Sequence, residues 1–426
     1  MEHQAVFAIA IFLIAYGMII VEKVHRTIVA MLGGIAVVAF GIVDVDAAIA
    51  KYIDFNTLGL LIGMMIIVGV TAKTGLFSYV ATVAAKRAKG EPIRIMLALA
   101  IITAVASAFL DNVTTVLLIV PVSFSLARQL QVHPYPFLFT QILASNIGGT
   151  ATLIGDPPNI MIGSAVKELT FMAFINNLAP IIALVMAVHL PLFVLLFRGG
   201  LRTTETRKRE VMAIDEQVLI TDRPLLMRCL VILGLTVAGF FLHGLIHVES
   251  SVVALAGAFL LLVLEGEHVM EEAFSRVEWA TIFFFVGLFT LVGALVETGI
   301  VRDLAERAID LTGGNVAATA MLVLWMSAIF SAFMDNIPFV ATMIPLIQEM
   351  GNMGVHNLEP IWWSLALGAC LGGNGTLIGA SANLITAGLA AKEGYPITFW
   401  RFMKLAFPLM LLSVAICSVY IYLRYL

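Results

Sequence analysis

Two short stretches place a carboxylate and an amide inside long apolar runs: Phe109–Val116, FLDNVTTV, and Phe333–Val340, FMDNIPFV. A third acid, Asp156, stands in the apolar, glycine-rich block GGTATLIGDPPN. An ionised Asp at the centre of a spanning segment costs about 2.5–3.5 kcal/mol on insertion scales, so Asp111, Asp156 and Asp335 point to proton or cation handling. Capping is the alternative for Asp111 and Asp335. At a hairpin tip either accepts bonds from the free N–H groups of the limb that follows. Asn112 and Asn336 suit both readings, because each can hold a bend and still offer a carbonyl to a solute. The remaining polar candidates lie in two glycine-rich interruptions. They are Asn146, Thr150, Thr152 and Asn159 in and beside the first, and Asn374, Thr376 and Asn383 in the second, GGNGTLIGASAN. Gly and Pro at that density break a helix. Backbone left unpaired at mid-membrane depth is tolerable only where protein or a water-filled cavity covers it. Half-helix N-termini favour anions or electron-rich oxygen, and half-helix C-termini favour cations. Glycine-mediated helix packing is the alternative for the Gly residues, but it leaves the Asn, Thr and Asp beside them without a reason.

The elements that hold these residues follow from composition. Of 426 residues, 61% are hydrophobic and 12% charged, against about 25% charged in a typical soluble domain. Apolar runs of seventeen or more residues recur, which predicts an all-α polytopic membrane protein. Ordinary spans are expected at 5–21, 27–43, 55–72, 172–197, 225–245, 250–265, 279–297 and 400–424, and broken helices at 137–166 and 361–391. These make about ten spans. Residues 93–127 and 315–348 are too long for one crossing and too short for two with a turn, so each is read as a re-entrant hairpin with its Asp-Asn pair at the tip. The first span follows Glu2 and His3 rather than a basic region and reads as retained. No basic cluster interleaves with aromatics, so no nucleic-acid partner is expected. Cys229, Cys370 and Cys417 are scattered, with neither a disulfide framework nor metal-ligand spacing.

An internal repeat organises the chain. Asp111/Asp335, Pro121/Pro345, Gly148/Gly372, Gly149/Gly373, Thr152/Thr376, Gly155/Gly379 and Asn159/Asn383 share one offset of 224 residues without a gap. Thr74-Gly75 against Thr298-Gly299 extends it upstream. Such repeats mark secondary transporters. Five crossings separate the two copies, an odd number, so the second is inverted. The first repeat is assigned 1–197, a linker 198–223, and the second repeat 224–426. Lys23, Arg26, Lys86, Arg87, Lys89, Arg94, Arg128 and the segment RGGLRTTETRKR at 198–209 share one side; the other carries little beyond Lys51, Lys167, Arg302 and Arg307. The positive-inside rule makes the first side cytoplasmic, with both termini outside. The first hairpin then opens from the cytoplasm and the second from outside. Within the linker, ETRKRE reads as a solvated loop, or as a contact for anionic membrane lipid.

The copies differ where chemistry is at stake. Asp156-Pro157-Pro158 faces Ala380-Ser381-Ala382, and Thr114-Thr115 faces Pro338-Phe339. The third carboxylate and the paired hydroxyls of Thr114 and Thr115 belong to the first copy alone, which is where a proton or cation site is expected. His243 and His247 stand four apart near Glu249, a spacing that admits a metal, although their place at the end of a span favours an interfacial position. Cys370, beside the second break, reads as packing. No Walker loop, HExxH or serine-hydrolase elbow is present, so neither enzyme activity nor a cofactor is expected.

The blocks SAFLDNVTTVLLIVPV, SNIGGTATLIGDPPN, SAFMDNIPFVATMIPL and GGNGTLIGASAN resemble the arsenite permease/pink-eyed-dilution P-protein branch of the ion transporter superfamily. The resemblance covers nearly the whole chain. It implies paired scaffold and transport domains, usually a homodimer, and a site between hairpin tips and broken helices. In the related dicarboxylate carriers the tips read Ser-Asn-Thr; here they are Asp111-Asn112 and Asp335-Asn336, which suits a proton or sodium ion better than a dicarboxylate. The function implied is export of a small inorganic solute, arsenite or antimonite, in exchange for protons. The rivals are a sodium/proton antiporter, a P-protein-like anion pathway, and a membrane subunit that docks a partner ATPase. One expectation is tested by sided labelling. In a background lacking native Cys, Thr204→Cys reacts with an impermeant maleimide only from the cytoplasm and Glu249→Cys only from outside. Reaction of both from one side refutes the inverted topology.

Overall fold

The computed structural model describes residues 2–21 and 23–426. It is helical throughout, with no strand among the described residues. The first half runs α1 (Glu2–Val21), α2 (Arg26–Ala39), a single turn α3 (Val45–Ala47), α4 (Phe55–Lys73), α5 (Leu76–Arg87), a hairpin of α6 (Pro92–Phe109) and α7 (Asn112–Leu130), a broken pair α8 (Tyr135–Gly149) and α9 (Pro157–Ala165), and α10 (Phe171–Phe197). After the linker helix α11 (Glu205–Met212), the second half repeats the order: α12 (Arg223–Ile246), α13 (Ser250–Glu265), α14 (Glu267–Ser275), α15 (Trp279–Glu297), α16 (Ile300–Thr312), hairpin α17 (Val316–Phe333) and α18 (Asn336–Asn352), broken pair α19 (Glu359–Gly372) and α20 (Ser381–Lys392), and α21 (Phe399–Tyr425). Among the described residues nine helices are long and apolar enough to cross a membrane. Three of these, α6, α7 and α17, are hairpin limbs. The other six, the shorter apolar α2 and α13, and the two broken pairs make ten crossings.

The repeat reaches into backbone conformation. Gly75 before α5 and Gly299 before α16 both take the left-handed conformation, at φ 77° and 78°, which glycine adopts without steric penalty. Ion pairs tie distant segments at each end of the bundle. Lys86–Glu216, Arg128–Glu393 and Lys208–Glu91 share one end; Lys51–Glu297 and Lys167–Glu249 share the other. These are termed the basic and the opposite face.

Packing divides the bundle into two groups. In one, α2 lies along α15 and α13 along α4, with α1 and α12 beside them. Repeat mates Gly63 and Gly287 make these crossings close, since an added Cβ would sit 2.6 Å from Ala254 and 2.4 Å from Ala30. In the other group, α6 packs along α8 and α17 along α19, with α10 and α21 beside them. The outer halves of the broken pairs cross over: α9 packs on α18 of the second repeat, and α20 on α7 of the first.

The breaks are built from backbone. A Cβ on Gly148 would fall 2.0 Å from Ala104 O, so the end of α8 lies directly on α6. Ser107 Oγ donates to Ser145 O (2.7 Å) and Ser331 Oγ to Ala369 O (2.6 Å). Thr152 and Thr376 hydroxyls donate to the mate carbonyls of Ala108 and Ala332. The carbonyls freed by each break find side-chain amides. Asn159 Nδ2 donates to Thr150 O (3.1 Å) and Thr152 O (2.8 Å), and Asn383 Nδ2 to Gly373 O (2.7 Å) and Thr376 O (2.8 Å).

The linker is helical at ETRKRE rather than a loop, although most of that charged segment stays exposed as expected. The linker folds against the first repeat, with Val211 fully buried and α11 lying on α7 and α5. Thr203 Oγ1 donates to Leu130 O (2.7 Å), Thr221 N to Thr74 O (3.1 Å) and Lys86 Nζ to Ile214 O (3.1 Å). The physical reason is that helix ends there expose carbonyls that need donors; the linker supplies Thr203 Oγ1 and Thr221 N, along with two apolar anchors, Leu201 and Val211.

Two substitutions test this account. Gly148→Ala inserts a methyl where no space exists and should lower stability by at least about 1–3 kcal/mol, read as a fall in the melting temperature of the purified protein in detergent. Gly17→Ala, with nothing within 4 Å of the added carbon, should leave it unchanged. Asn383→Ala orphans two buried carbonyls and should cost about 1–3 kcal/mol. A melting temperature equal to that of the parent would show that the break does not depend on this amide.

Candidate functional site

The tip acids cap their limbs. Asp111 Oδ1 accepts from Thr114 N (2.8 Å) and Oδ2 from Thr114 Oγ1 (2.5 Å). Asp335 Oδ1 accepts from Ile337 N (3.1 Å). Both tip carboxylates are buried, so capping and a place at the site coexist. Asp156 differs. It precedes α9 but makes no side-chain cap bond. It is fully buried, and Asn336 Nδ2 donates to it at 3.2 Å.

A small central cavity sits where the two helix groups meet. It is lined by Asp111, Asn112, Asp156 and Asn336 from the hairpin and break group, and by Arg26, Leu61, Met65, Glu278 and Thr281 from the other, with Ser381 at the start of α20. Its volume of about 20 Å³ holds a single water-sized particle. The other predicted residues back this cavity. Asn112 Nδ2 donates to Asn146 Oδ1 (3.1 Å), and Asn146 Nδ2 to Asn374 Oδ1 (3.0 Å) and Asn383 Oδ1 (2.9 Å). Thr150 Oγ1 donates to Asn146 O (2.6 Å). Asn159, Thr152, Thr376 and Asn383 hold the breaks as described. Thr114 holds Asp111, and the buried Thr115 hydroxyl has no partner among the described residues. Cys370, the repeat mate of Asn146, also joins this layer, its thiol 3.5 Å from Asn159 Oδ1.

Four polar cavity residues, Arg26, Glu278, Thr281 and Ser381, escaped the sequence reading. Arg26 counts there only as a basic loop residue. Arg26 Nη1 donates to Ser381 Oγ (2.8 Å) and pairs with Asp335. Glu278 and Thr281 read as the edge of a span, yet the 224-residue offset pairs them with Asp54 and Thr57. Both acids stand directly before their helices, and both accept from the Thr hydroxyl three residues on, Asp54 at 2.5 Å and Glu278 at 3.1 Å. That matched Asp/Glu-x-x-Thr spacing was the available signal. Glu278 stands directly before α15 and lines the same cavity as Asp111 and Asp156. Four carboxylates thus face one guanidinium in a low-dielectric setting, where uncompensated like charge is costly.

A larger cavity of about 610 Å³ on the basic face shares Arg26, Glu278, Thr281 and Ser381 with the central one. A second, of about 480 Å³ on the opposite face, contains Asp54, Ser164 and Pro345 and shares no lining residue with the centre. Away from the site, His243 Nε2 accepts from Phe171 N (3.1 Å), so this histidine serves the start of α10.

Comparison with known proteins follows the same architecture. Residues 16–368 match the citrate transporter family CitMHS. An uncharacterized transporter of Mycobacterium tuberculosis is 46% identical over 99% of both chains, and the 46 kDa membrane protein of Mycobacterium leprae 41% identical over 99% of both. The mouse P protein is 36% identical over 99% of this chain, which spans 60% of that longer protein. The crystal structure of the Alcanivorax borkumensis YdaH transporter, described as having an unusual topology, superposes with a TM-score of 0.62 at 14% identity, covering 99% of this chain and 98% of the other. With an inverted-repeat helical fold, a family match over most of its length and transporter relatives along all of it, the chain is a membrane transporter and belongs to the CitMHS citrate transporter family of the ion transporter superfamily.

Proposed function

We propose that the chain exports a small, neutral, hydroxyl-rich solute, arsenite or antimonite, in exchange for protons, by alternating access with the basic face in the cytoplasm. The observation that carries this reading is the acidic central cavity at the junction of the two helix groups, adjoining one face only. Asp111, Asp156 and Glu278 line it, and carboxylates so placed bind and release protons as access changes. Inversion of the repeat supplies the other state, in which Asp54 and the opposite cavity take the place that Glu278 and the basic-face cavity hold here. The family description names citrate, but a trivalent anion meets four carboxylates against one guanidinium, which opposes its binding. Arsenous acid is uncharged in neutral water and is matched by the Asn amides. It exceeds a water-sized cavity, so loading requires widening toward the basic-face cavity. One proton per neutral solute, driven by roughly 150 mV, supplies about 3.5 kcal/mol, enough for a gradient of a few hundredfold.

Sodium/proton exchange is the second reading, and the cavity size favours it, since a bare cation fits without rearrangement. Everted vesicles separate the two. Under an imposed proton gradient, arsenite accumulates in vesicles carrying the parent chain. Asp156→Ala abolishes proton-driven accumulation while downhill counterflow of arsenite persists. Sodium flux without arsenite flux replaces the first reading with the second. Equal loss of both arsenite activities in Asp156→Ala assigns this residue to the solute site rather than to coupling.

A further inference from the structure

The two hairpin tips carry the same Asp-Asn pair, yet their carboxylates meet different partners. At the second tip, the guanidinium of Arg26 pairs with Asp335. The same Nη1 donates to Ser381 Oγ (2.8 Å), and Ser381 Oγ donates to Asp335 Oδ2 (2.9 Å). The guanidinium also lies 5.0 Å from the centre of the Phe284 ring, so it is held on one side by an aromatic face. At the first tip, Asp111 accepts from Thr114 alone. Among the described residues no Lys, Arg or His comes within 4.0 Å of it. The difference is written in the repeat. The residues 224 positions from Arg26 and Ser381 are Ser250 and Pro157, and neither supplies a positive charge or a donor hydroxyl of that reach.

We propose that Arg26 is the resident cation of the second tip, so that in this conformation, of the two hairpin tips, the first alone admits an exogenous cation, at Asp111. This deepens the coupling reading above and rests on it for its role in transport, although the binding claim stands apart from any solute. Charge accounting supports it. The groups facing the central cavity are Arg26, Asp111, Asp156, Glu278 and, through Arg26, Asp335, while His25 lines the basic-face cavity beyond them. Arg26 joins the group containing α15 to the tip carried by the other group. It therefore compensates Asp335 through a direct ion pair, and it leaves Asp111 with hydrogen bonds but no countercharge. A guanidinium on a short helix start, backed by Phe284, is pre-organised for a carboxylate in a way that a flexible ammonium is not.

The test counts monovalent cations bound by the purified full chain without solute, as radioactive sodium retained plus protons taken up between pH 8 and pH 6, relative to Asp111→Asn. The parent binds one more cation than Asp111→Asn. Arg26→Gln uncovers Asp335 and raises the count by one, and Arg26→Gln/Asp335→Asn returns it to the parent value. Arg26→Lys keeps the parent count. If Arg26→Gln fails to fold, Asp335→Asn alone decides: the count stays at the parent value, with cation affinity at the first tip at least tenfold weaker because the freed guanidinium now faces Asp111 and Glu278. An unchanged count in folded Arg26→Gln, an increase that persists in the double variant, or loss of a cation in Asp335→Asn overturns the proposal. A chain that behaves as described but moves no arsenite leaves this inference standing and removes the transport reading instead.

Discussion

A helix that stops halfway across a membrane leaves carbonyls and N–H groups where no water can reach them, and the rest of this structure is arranged around that problem. Two such stops exist among the described residues, and Asn159 and Asn383 meet them in the same way, each giving both amide hydrogens to carbonyls of its own break. The hairpins complete the solution. Their first limbs lie so close to the broken helices that glycine is required at Gly148 and Gly372, where an added Cβ would fall 2.0 and 2.5 Å from Ala104 O and Ala328 O. Once the limbs are pinned there, the tips arrive at the same depth as the breaks. The acids they carry are thereby delivered to the central cavity and its Arg26 without a span of their own.

Symmetry supplies the frame, and departures from symmetry supply the chemistry. Asp156 has an alanine, Ala380, for a mate, and Arg26 has a serine. One substitution adds a negative charge to the first copy's side of the cavity; the other adds a positive charge against the second copy's tip. Two sites that began as equivalents are thus opposite in electrical character. This asymmetry also weighs on solute class, because the net field at the cavity is negative and favours neutral or cationic occupants.

Much of this was legible in the residues. Period and run length mark the spans, Gly/Pro density marks the breaks, and an ungapped offset of 224 residues relates the halves. Asp111, Asn112, Asp156 and Asn336 do line one cavity. What composition and spacing leave open is direction: which way a polar side chain on a broken helix points. Asn159, Thr152, Thr376 and Asn383 have the residue types of a solute site, but unpaired backbone nearby captures them first. Arg26 and Glu278 were obscured for the opposite reason. A charge at the end of a span has an ordinary explanation at the water interface, and only three-dimensional placement separates it from a charge that turns inward. The linker's packing went unread because its anchors are Leu201, Thr203, Val211 and Thr221, residues that the surrounding charge conceals.

The crossing of the outer half-helices has a consequence for how the chain is made. Asn146 finds its amide partners 228 and 237 residues further on, and Asp156 finds Asn336 after 180. A ribosome that has finished the first repeat has therefore produced a set of membrane-embedded polar groups whose shelter is not yet synthesised. Insertion and final packing must be separate events in time, with the early half waiting in an unfinished state that exposes acid and amide to lipid or trapped water. Contacts of such long sequence separation form slowly. Quality control of this transporter would accordingly act late, on chains that are fully inserted but whose two repeats have not yet clasped one another.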